Sequence, residues 1–188
     1  MMANNYLKRT LILVLLSLLS TSIYAEKAWE GFFDSSFGDF SEELETAKAE
    51  NKKGILIFFE KEVCPFCARM KRKVLSKKPI QEYYKKHFKI YPVDIEGNVE
   101  IVTFEGKTMK LTDFSYKHYN VYASPVFLFV DLNGKELTRY TGVTRDADEF
   151  MWLGQYVVDD LYKKMTFSQY RNKKRMQATK VGQGNEKI

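Results

Sequence analysis

The sequence has few residues of the two types that most often build disulfide scaffolds and metal sites. It contains two cysteines and two histidines among 188 residues. Two cysteines cannot form a disulfide scaffold, and a chain of this length can bury a sufficient apolar core without one. With 45% hydrophobic and 15% aromatic residues, the composition also excludes global disorder. We therefore expect one folded domain with short extensions.

The sequence also lacks an apolar run long enough to cross a bilayer. The apolar stretch at residues 11–23 has 13 residues, whereas a spanning helix needs about 20. Lys8 and Arg9 precede this stretch, residues 11–19 form its apolar centre, and residues 20–25 form a segment rich in small residues that ends at Ala25. The pattern is typical of a secretory signal peptide over residues 1–25, cleaved after Ala25, with an uncleaved anchor as the alternative.

The body of the chain carries no net positive charge, although the formal net charge of the whole chain is +6. Residues 166–188 contain six lysines or arginines and a single glutamate, so the basic character belongs to this end. A nucleic-acid-binding domain would place positive charge on its folded elements, and we therefore expect no nucleic-acid partner. The sequence predicts a domain over residues 26–165 and a solvated basic tail over 166–188. Contact of this tail with anionic lipid or an acidic partner is the alternative.

The apolar pattern predicts an α/β fold. Two continuous β-prone runs, at residues 55–59 and 126–130, indicate strands that are buried on both faces. Further strands are predicted at 88–95 and 136–140, with a small hairpin over 99–111. Capping residues and apolar periodicity predict helices that begin near residues 41, 64, 80, 112 and 146. The order of these elements predicts a central mixed sheet flanked by helices, with a small β-hairpin insertion.

Cys64 and Cys67 lie where the first predicted strand turns into a helix. Pro65 suits the first helical turn, and the free N–H groups and partial positive charge of a helix N-terminus favour thiolate over thiol. Cys64, at the helix tip, would attack a disulfide, and Cys67, one turn inside, would resolve the mixed disulfide that results. The position therefore predicts a redox-active dithiol.

Two other interpretations of this cysteine pair remain open. A structural bridge that closes so short a loop would raise the free energy of the unfolded chain by only about 2 kcal/mol. Structural zinc needs four ligands, and His87 and His118 lie on separate predicted helices without ligand spacing. Redox chemistry is favoured over both, and we expect no metal and no organic cofactor.

Three stretches together resemble the thioredoxin superfamily over residues 41–164. They are the run ILIFF, the Cys-Pro-Phe-Cys segment, and the segment Tyr-Ala-Ser-Pro that precedes the run VFLFVDLNGKEL. The resemblance implies a thioredoxin-like fold. The predicted hairpin and last helix are most similar to exported thioredoxin-like proteins found with bacterial sulfur-oxidation and cytochrome-maturation systems, which implies a periplasmic location.

The resemblance also implies a substrate site beside the dithiol. Pro125 matches the family's cis-proline, which faces the cysteines, although an ordinary trans proline is the alternative on physical grounds alone. The backbone of Ser124 would then pair with an extended peptide, and Pro65 and Phe66 would complete the substrate-binding surface.

The chain departs from the family pattern at two positions near the cysteines. Phe58 stands where thioredoxins carry a buried acid that helps to deprotonate the second cysteine, and Val63 replaces a tryptophan. Glu60 is a possible replacement proton acceptor for Cys67. A solvated loop glutamate is the alternative interpretation of Glu60.

We expect an exported thiol–disulfide oxidoreductase that acts on disulfide-bearing proteins or small thiols. The dipeptide Pro65-Phe66 brings no polar group to the Cys64 thiolate, and Glu60, Lys61 and Glu62 bring a net negative charge, so a reductase is favoured. A membrane redox partner would recycle the dithiol, and the enzyme would be a monomer. The alternatives are an oxidant that inserts disulfides and a non-catalytic binding module; an isomerase is disfavoured because no dimerisation domain is present.

Overall fold

A four-stranded mixed sheet forms the centre of the structure, a computed structural model that describes residues 28–184. The strands run in the order β2-β1-β5-β6, with β1 parallel to β2 and the other neighbours antiparallel. The short strands β3 and β4 form a separate hairpin. The strands are β1 (Gly54–Glu60), β2 (Phe88–Asp94), β3 (Glu100–Val102), β4 (Thr108–Lys110), β5 (Val126–Val130) and β6 (Glu136–Thr141). This confirms the predicted mixed sheet with a hairpin insertion.

Helices cover both faces of the sheet. They are α1 (Phe40–Ala49), α2 (Pro65–Met70), α3 (Lys78–His87), α4 (Leu111–Asp113), α5 (Ala147–Val158) and α6 (Phe167–Gly184). Wide π-helical turns extend α2 over Lys71–Leu75 and α4 over Phe114–His118, and short 3-10 turns occupy Ala28–Phe32 and Leu161–Lys163. Within the described residues, no helix is both long and apolar enough to cross a membrane. The predicted signal peptide over residues 1–25 lies outside the described residues.

The central strand β1 divides the apolar core into two layers. Alternate side chains of a strand point to opposite faces, so an all-apolar strand must be covered on both. Ile55, Ile57 and Phe59 pack on the side of α1 and α4. Leu56 and Phe58 pack on the side of α2, α3 and α5. This burial is the reason that β1 lies inside the sheet, as its sequence predicts.

The basic segment predicted as a solvated tail differs in the structure, because α6 packs against α5. The ring of Phe167 lies 5.5 Å from that of Tyr156, and the guanidinium groups of Arg171 and Arg175 reach the buried carboxylate of Glu149. The two arginines are four residues apart, so they share one face of the helix. Charge composition alone does not reveal this contact because the matching acid lies on another element.

Candidate active site

The two cysteines lie at the carboxyl end of β1, at the N-terminus of α2. Cys64 is the N-cap residue of α2, and Pro65 fills the first helical position. The Cys64 Sγ accepts the backbone N–H of Cys67 at 3.1 Å. The first turn of the helix therefore directs a donor at the sulfur, as expected for a side chain that caps a helix N-terminus.

Cys64 and Cys67 form a disulfide and differ in accessibility. Their Cα atoms are 5.2 Å apart. Cys67 is only 2% exposed and packs in the core layer that contains Phe58 and Met70, whereas Cys64 remains partly exposed. A substrate can therefore approach the Cys64 sulfur, while Cys67 is available to attack from within.

The loop before β5 brings Ser124 against the cysteines. The Ser124–Pro125 peptide bond is cis, and the Ser124 Oγ lies 3.3 Å from the Cys64 Sγ. Val126 pairs with Phe59 in the sheet, which places this loop beside the end of β1. Pro125 itself is buried, so the accessible part of the loop is formed by the residues that precede it.

Three exposed apolar side chains lie within two residues of Cys64 or Ser124 along the chain. Val63 is 86% exposed, Phe66 is 59% exposed and Tyr122 is 68% exposed. The Tyr122 ring stacks on that of Tyr116, with 5.6 Å between ring centroids. Phe66 was predicted as part of the site, but Val63 and Tyr122 were not. The position of Tyr122 two residues before Ser124 was the available signal, because this loop precedes the cis Ser124–Pro125 bond that faces the cysteines.

Glu60, the predicted proton acceptor, is held in an ion pair at the end of β1. Its carboxylate lies 2.6 Å from the Nζ of Lys71, and the two side chains are 17% and 16% exposed. The Lys71 ammonium also lies 4.2 Å from the centre of the Trp29 ring. The alternative interpretation of Glu60 as a solvated loop residue is therefore wrong. Phe58, at the position of the family's buried acid, is fully buried.

The two histidines do not approach the dithiol as ligands. His87 lies before β2, at the opposite end of the sheet from the cysteines, and its ring packs 4.7 Å from that of Tyr83. Burial lowers the pKa of His87. The ring of His118 stacks on that of Phe114. In the part of the chain that the structure describes, no group of three or more His, Cys, Asp or Glu residues could hold a metal ion.

Residues 40–158 match the family described as the thioredoxin-like domain. The chain belongs to this family. The matched region of this thioredoxin-like protein contains β1, both cysteines and the Ser124–Pro125 loop, and it ends before α6. No curated protein matches the chain in sequence.

Solved structures show the same fold at low sequence identity. A thioredoxin-fold protein from Helicobacter pylori is 22% identical with a TM-score of 0.61, and the match covers 85% of this chain and 97% of that one. The DsbH oxidoreductase is 20% identical with a TM-score of 0.52, over 67% of this chain and 85% of that one. A putative disulphide-isomerase from Bacteroides thetaiotaomicron is 24% identical with a TM-score of 0.50, over 65% and 92%. These likenesses establish the thioredoxin-like fold, whereas an association with sulfur oxidation stays a prediction.

Proposed function

We propose that this thioredoxin-like protein is a thiol–disulfide oxidoreductase that reduces disulfides of proteins or small thiols outside the cytoplasm. The observation that carries the proposal is the position of Cys64. Its partly exposed sulfur caps a helix N-terminus and faces the Ser124–Pro125 loop, while its partner Cys67 is buried behind it. This arrangement provides one sulfur for attack from solvent and a second for intramolecular release.

The reaction follows from the two positions. The Cys64 thiolate attacks one sulfur of a substrate disulfide, the Cys64–substrate bond forms, and the other substrate sulfur leaves and takes a proton. The Cys67 thiol then loses its proton and attacks the Cys64 sulfur, which forms the Cys64–Cys67 bond and releases the second substrate sulfur as a thiolate that takes up a proton. The substrate gains two electrons and two protons, and the enzyme dithiol loses them.

The surface around Cys64 suits an extended, apolar segment of a protein substrate. The backbone of Ser124 can pair with such a segment by strand addition, and the exposed side chains of Val63, Phe66 and Tyr122 can contact its apolar groups. Binding of this kind would hold a substrate disulfide beside the exposed sulfur in a reactive orientation and so increase the rate of attack.

The proposed direction of electron flow is reduction, with a membrane dithiol donor that recycles the enzyme. Pro65 and Phe66 offer no polar side chain to the thiolate, and the exposed Glu62 forms no ion pair with any residue that the structure describes, so its charge disfavours the anion. Glu60 and Lys61, by contrast, are paired with Lys71 and Glu96. Export by the predicted signal peptide would place this exchange in the periplasm.

Insulin reduction tests the proposed activity. With dithiothreitol as the electron donor, the wild-type protein should accelerate the precipitation of reduced insulin chains, and the matched variant Cys64→Ser should not. Absence of turnover by the wild-type protein would contradict an exchange enzyme and favour a binding module that uses the same surface.

Disulfide insertion is the second candidate, because two hydrogen-bond donors converge on the Cys64 sulfur and would stabilise its reduced form. Equilibration against glutathione buffers separates the two candidates. A potential near that of thioredoxin, about −270 mV, supports the reductase, and one above about −170 mV would overturn it in favour of an oxidant.

A further inference from the structure

Positive charge is concentrated on the helix that begins at the dithiol and on the turn that follows it. Residues 69–78 contain six lysines or arginines and no aspartate or glutamate. The body of the chain carries no net positive charge, so this concentration is a local feature of the segment. The segment begins two residues after Cys67, and its charge therefore acts on molecules that approach the dithiol.

Four of these six cations are exposed and form no ion pair with any residue that the structure describes. The other two have acidic neighbours, because Lys71 is paired with Glu60 and the Nζ of Lys78 lies 3.8 Å from the carboxylate of Glu82. We call the four unpaired cations the α2 basic patch; they are Arg69, Arg72, Lys73 and Lys77. Since no acid within the protein compensates the patch, its field extends into the solvent.

The α2 basic patch continues from the exposed apolar side chain of Phe66. Phe66, Arg69 and Lys73 are spaced i, i+3 and i+7, which places them on one face of α2 and its π-helical extension. The opposite face is buried through Cys67 and Met70. Seven residues advance about 10 Å along a helix axis, a length comparable with the Debye length of about 8 Å at physiological ionic strength. The patch therefore acts on the part of a partner that lies next to the reacting disulfide.

We propose that the α2 basic patch binds acidic residues beside the disulfide of a protein substrate, so that the enzyme prefers disulfides in acidic surroundings. The inference rests on the proposed function, because it names the class of substrate that the same dithiol reduces. Nucleic acids and anionic lipids are also attracted to positive charge, but neither carries a disulfide for Cys64 to attack. A protein with apolar and acidic side chains around its disulfide matches both Phe66 and the cations.

The patch should act mainly on the encounter between enzyme and substrate. Exposed charges at the rim of an interface add little to the final affinity, but they increase the rate of productive encounter and orient the partner. Salt screens such charges strongly. The preference for acidic surroundings should therefore appear in kcat/KM and should disappear at high ionic strength.

The test uses three synthetic peptides that share one disulfide-closed loop and differ only in the flanking residues, which are glutamates, glutamines or lysines. At an ionic strength of about 0.01 M, kcat/KM of the wild-type protein for the acidic peptide should exceed that for the neutral peptide about tenfold. The basic peptide should be reduced most slowly. At about 1 M, where the Debye length is about 3 Å, the three values should agree within about twofold.

Two variants with the same loss of charge locate the effect. The patch variant carries Arg69→Gln, Arg72→Gln, Lys73→Gln and Lys77→Gln. The control variant changes four exposed lysines that lie elsewhere and form no ion pair with a described residue, by Lys107→Gln, Lys110→Gln, Lys135→Gln and Lys164→Gln. The ratio of kcat/KM between the acidic and neutral peptides should fall below about twofold in the patch variant and stay near tenfold in the control variant. If the patch variant does not fold, the double variant Arg69→Gln, Lys73→Gln should lower the ratio to about threefold.

The ratio isolates docking from changes in the nucleophile. Loss of nearby positive charge alters the ionisation of Cys64, but the same thiolate attacks both peptides, so this effect cancels in the ratio. Equal values of kcat/KM for the acidic and neutral peptides at low ionic strength, or an equal loss of the ratio in the patch and control variants, would overturn the proposal.

Binding of peptides in which both cysteines are replaced by serine separates this inference from the proposed function. Fluorescence anisotropy of labelled peptides measures the binding. If the wild-type protein reduces none of the disulfide peptides, but binds the acidic serine peptide more tightly than the neutral one and loses this preference in the patch variant, the proposed function is wrong and the acidic docking surface stands. If all three disulfide peptides are reduced with equal kcat/KM and their serine forms bind equally, the proposed function stands and the inference about the patch is wrong.

Discussion

The carboxylate of Glu149 lies 3.1 Å from the guanidinium of Arg171, although the Glu149 side chain is only 2% exposed. Arg175, one turn further along α6, binds the other oxygen of the same carboxylate at 2.5 Å. Glu149 belongs to the first turn of α5, so a buried acid binds the C-terminal helix to the domain in addition to the contact of Phe167 with Tyr156. A buried charge that keeps its partners is tolerated, whereas one that loses them is costly.

Replacement of both arginines by alanine should therefore destabilise the protein strongly. The double variant leaves the Glu149 carboxylate buried without a cation, and we expect the free energy of unfolding to fall by about 3 kcal/mol. Urea unfolding followed by circular dichroism measures this change. The control replaces Lys173 and Gln177, two exposed residues of α6, by alanine and should cost less than about 0.5 kcal/mol. Equal stability of the two double variants would mean that the ion pairs with Glu149 do not stabilise the folded protein.

The sequence predicts those elements of the fold that depend on the pattern of apolar residues within a short stretch. Residues 55–59 and 126–130 are apolar at every position, which indicates strands covered on both faces, and the structure confirms them as β1 and β5. The start of α1, by contrast, depends on a contact between residues that are distant in sequence. The sequence predicts a helix that begins near residue 41, but the helix begins at Phe40, and the Asp39 side chain accepts the N–H groups of Ser41 and Glu42. Phe40 is buried in the core, where its ring stacks on that of Phe114 with 5.1 Å between the ring centroids.

The cysteines could be located from the sequence because the strand, the turn and the helix tip are contiguous. The contacts that complete the site are not contiguous. Tyr122 is largely exposed two residues before Ser124, and the Ser124 hydroxyl reaches Cys64 only because β5 pairs with β1. Such contacts depend on the register between strands that are distant in sequence, and local periodicity does not encode this register.

The difference in exposure between the two cysteines predicts which one is captured by a substrate. In Cys67→Ser, the mixed disulfide on Cys64 cannot be resolved, so adducts that dithiothreitol removes should accumulate. In the matched variant Cys64→Ser, the remaining thiol is buried and should form far fewer adducts. Mass spectrometry of both variants after incubation with oxidised insulin gives the comparison. Equal adduct formation would contradict the assignment of Cys64 as attacker and Cys67 as resolver.

Asp160 provides a pH-dependent contribution to stability. A hydrogen bond from Lys53, followed by one from Tyr162, lowers the pKa of Asp160 from 3.8 to about 2. A carboxyl group with a depressed pKa in the folded state stabilises that state above the pKa of the unfolded chain, and this contribution is lost as the pH falls toward the folded value. Because the side chain is 38% exposed, the contribution should not exceed about 1 kcal/mol.

Asp160→Asn isolates this effect, since asparagine tolerates the left-handed conformation that Asp160 adopts at a φ of 55°. The free energies of unfolding of wild-type protein and variant are compared in urea at pH 6 and at pH 3. The wild-type advantage should be present at pH 6 and should shrink at pH 3. An advantage that is constant across this range would show that the ionised carboxylate of Asp160 does not contribute.

Tyr122 should determine how well the enzyme uses protein substrates. Truncation in Tyr122→Ala removes an exposed ring that can pack against an apolar substrate segment, and the value of kcat/KM for insulin should fall about tenfold, mainly through KM. Reduction of glutathione disulfide should change much less, because this small substrate offers no apolar segment to the ring. Phe37→Ala is the matched control, since Phe37 is fully exposed but lines a groove with Pro92 and Val99 at the edge strand β2. If Tyr122→Ala weakens the reduction of both substrates equally, or if Phe37→Ala has the same effect, the apolar side chains around Cys64 are not the substrate-binding surface.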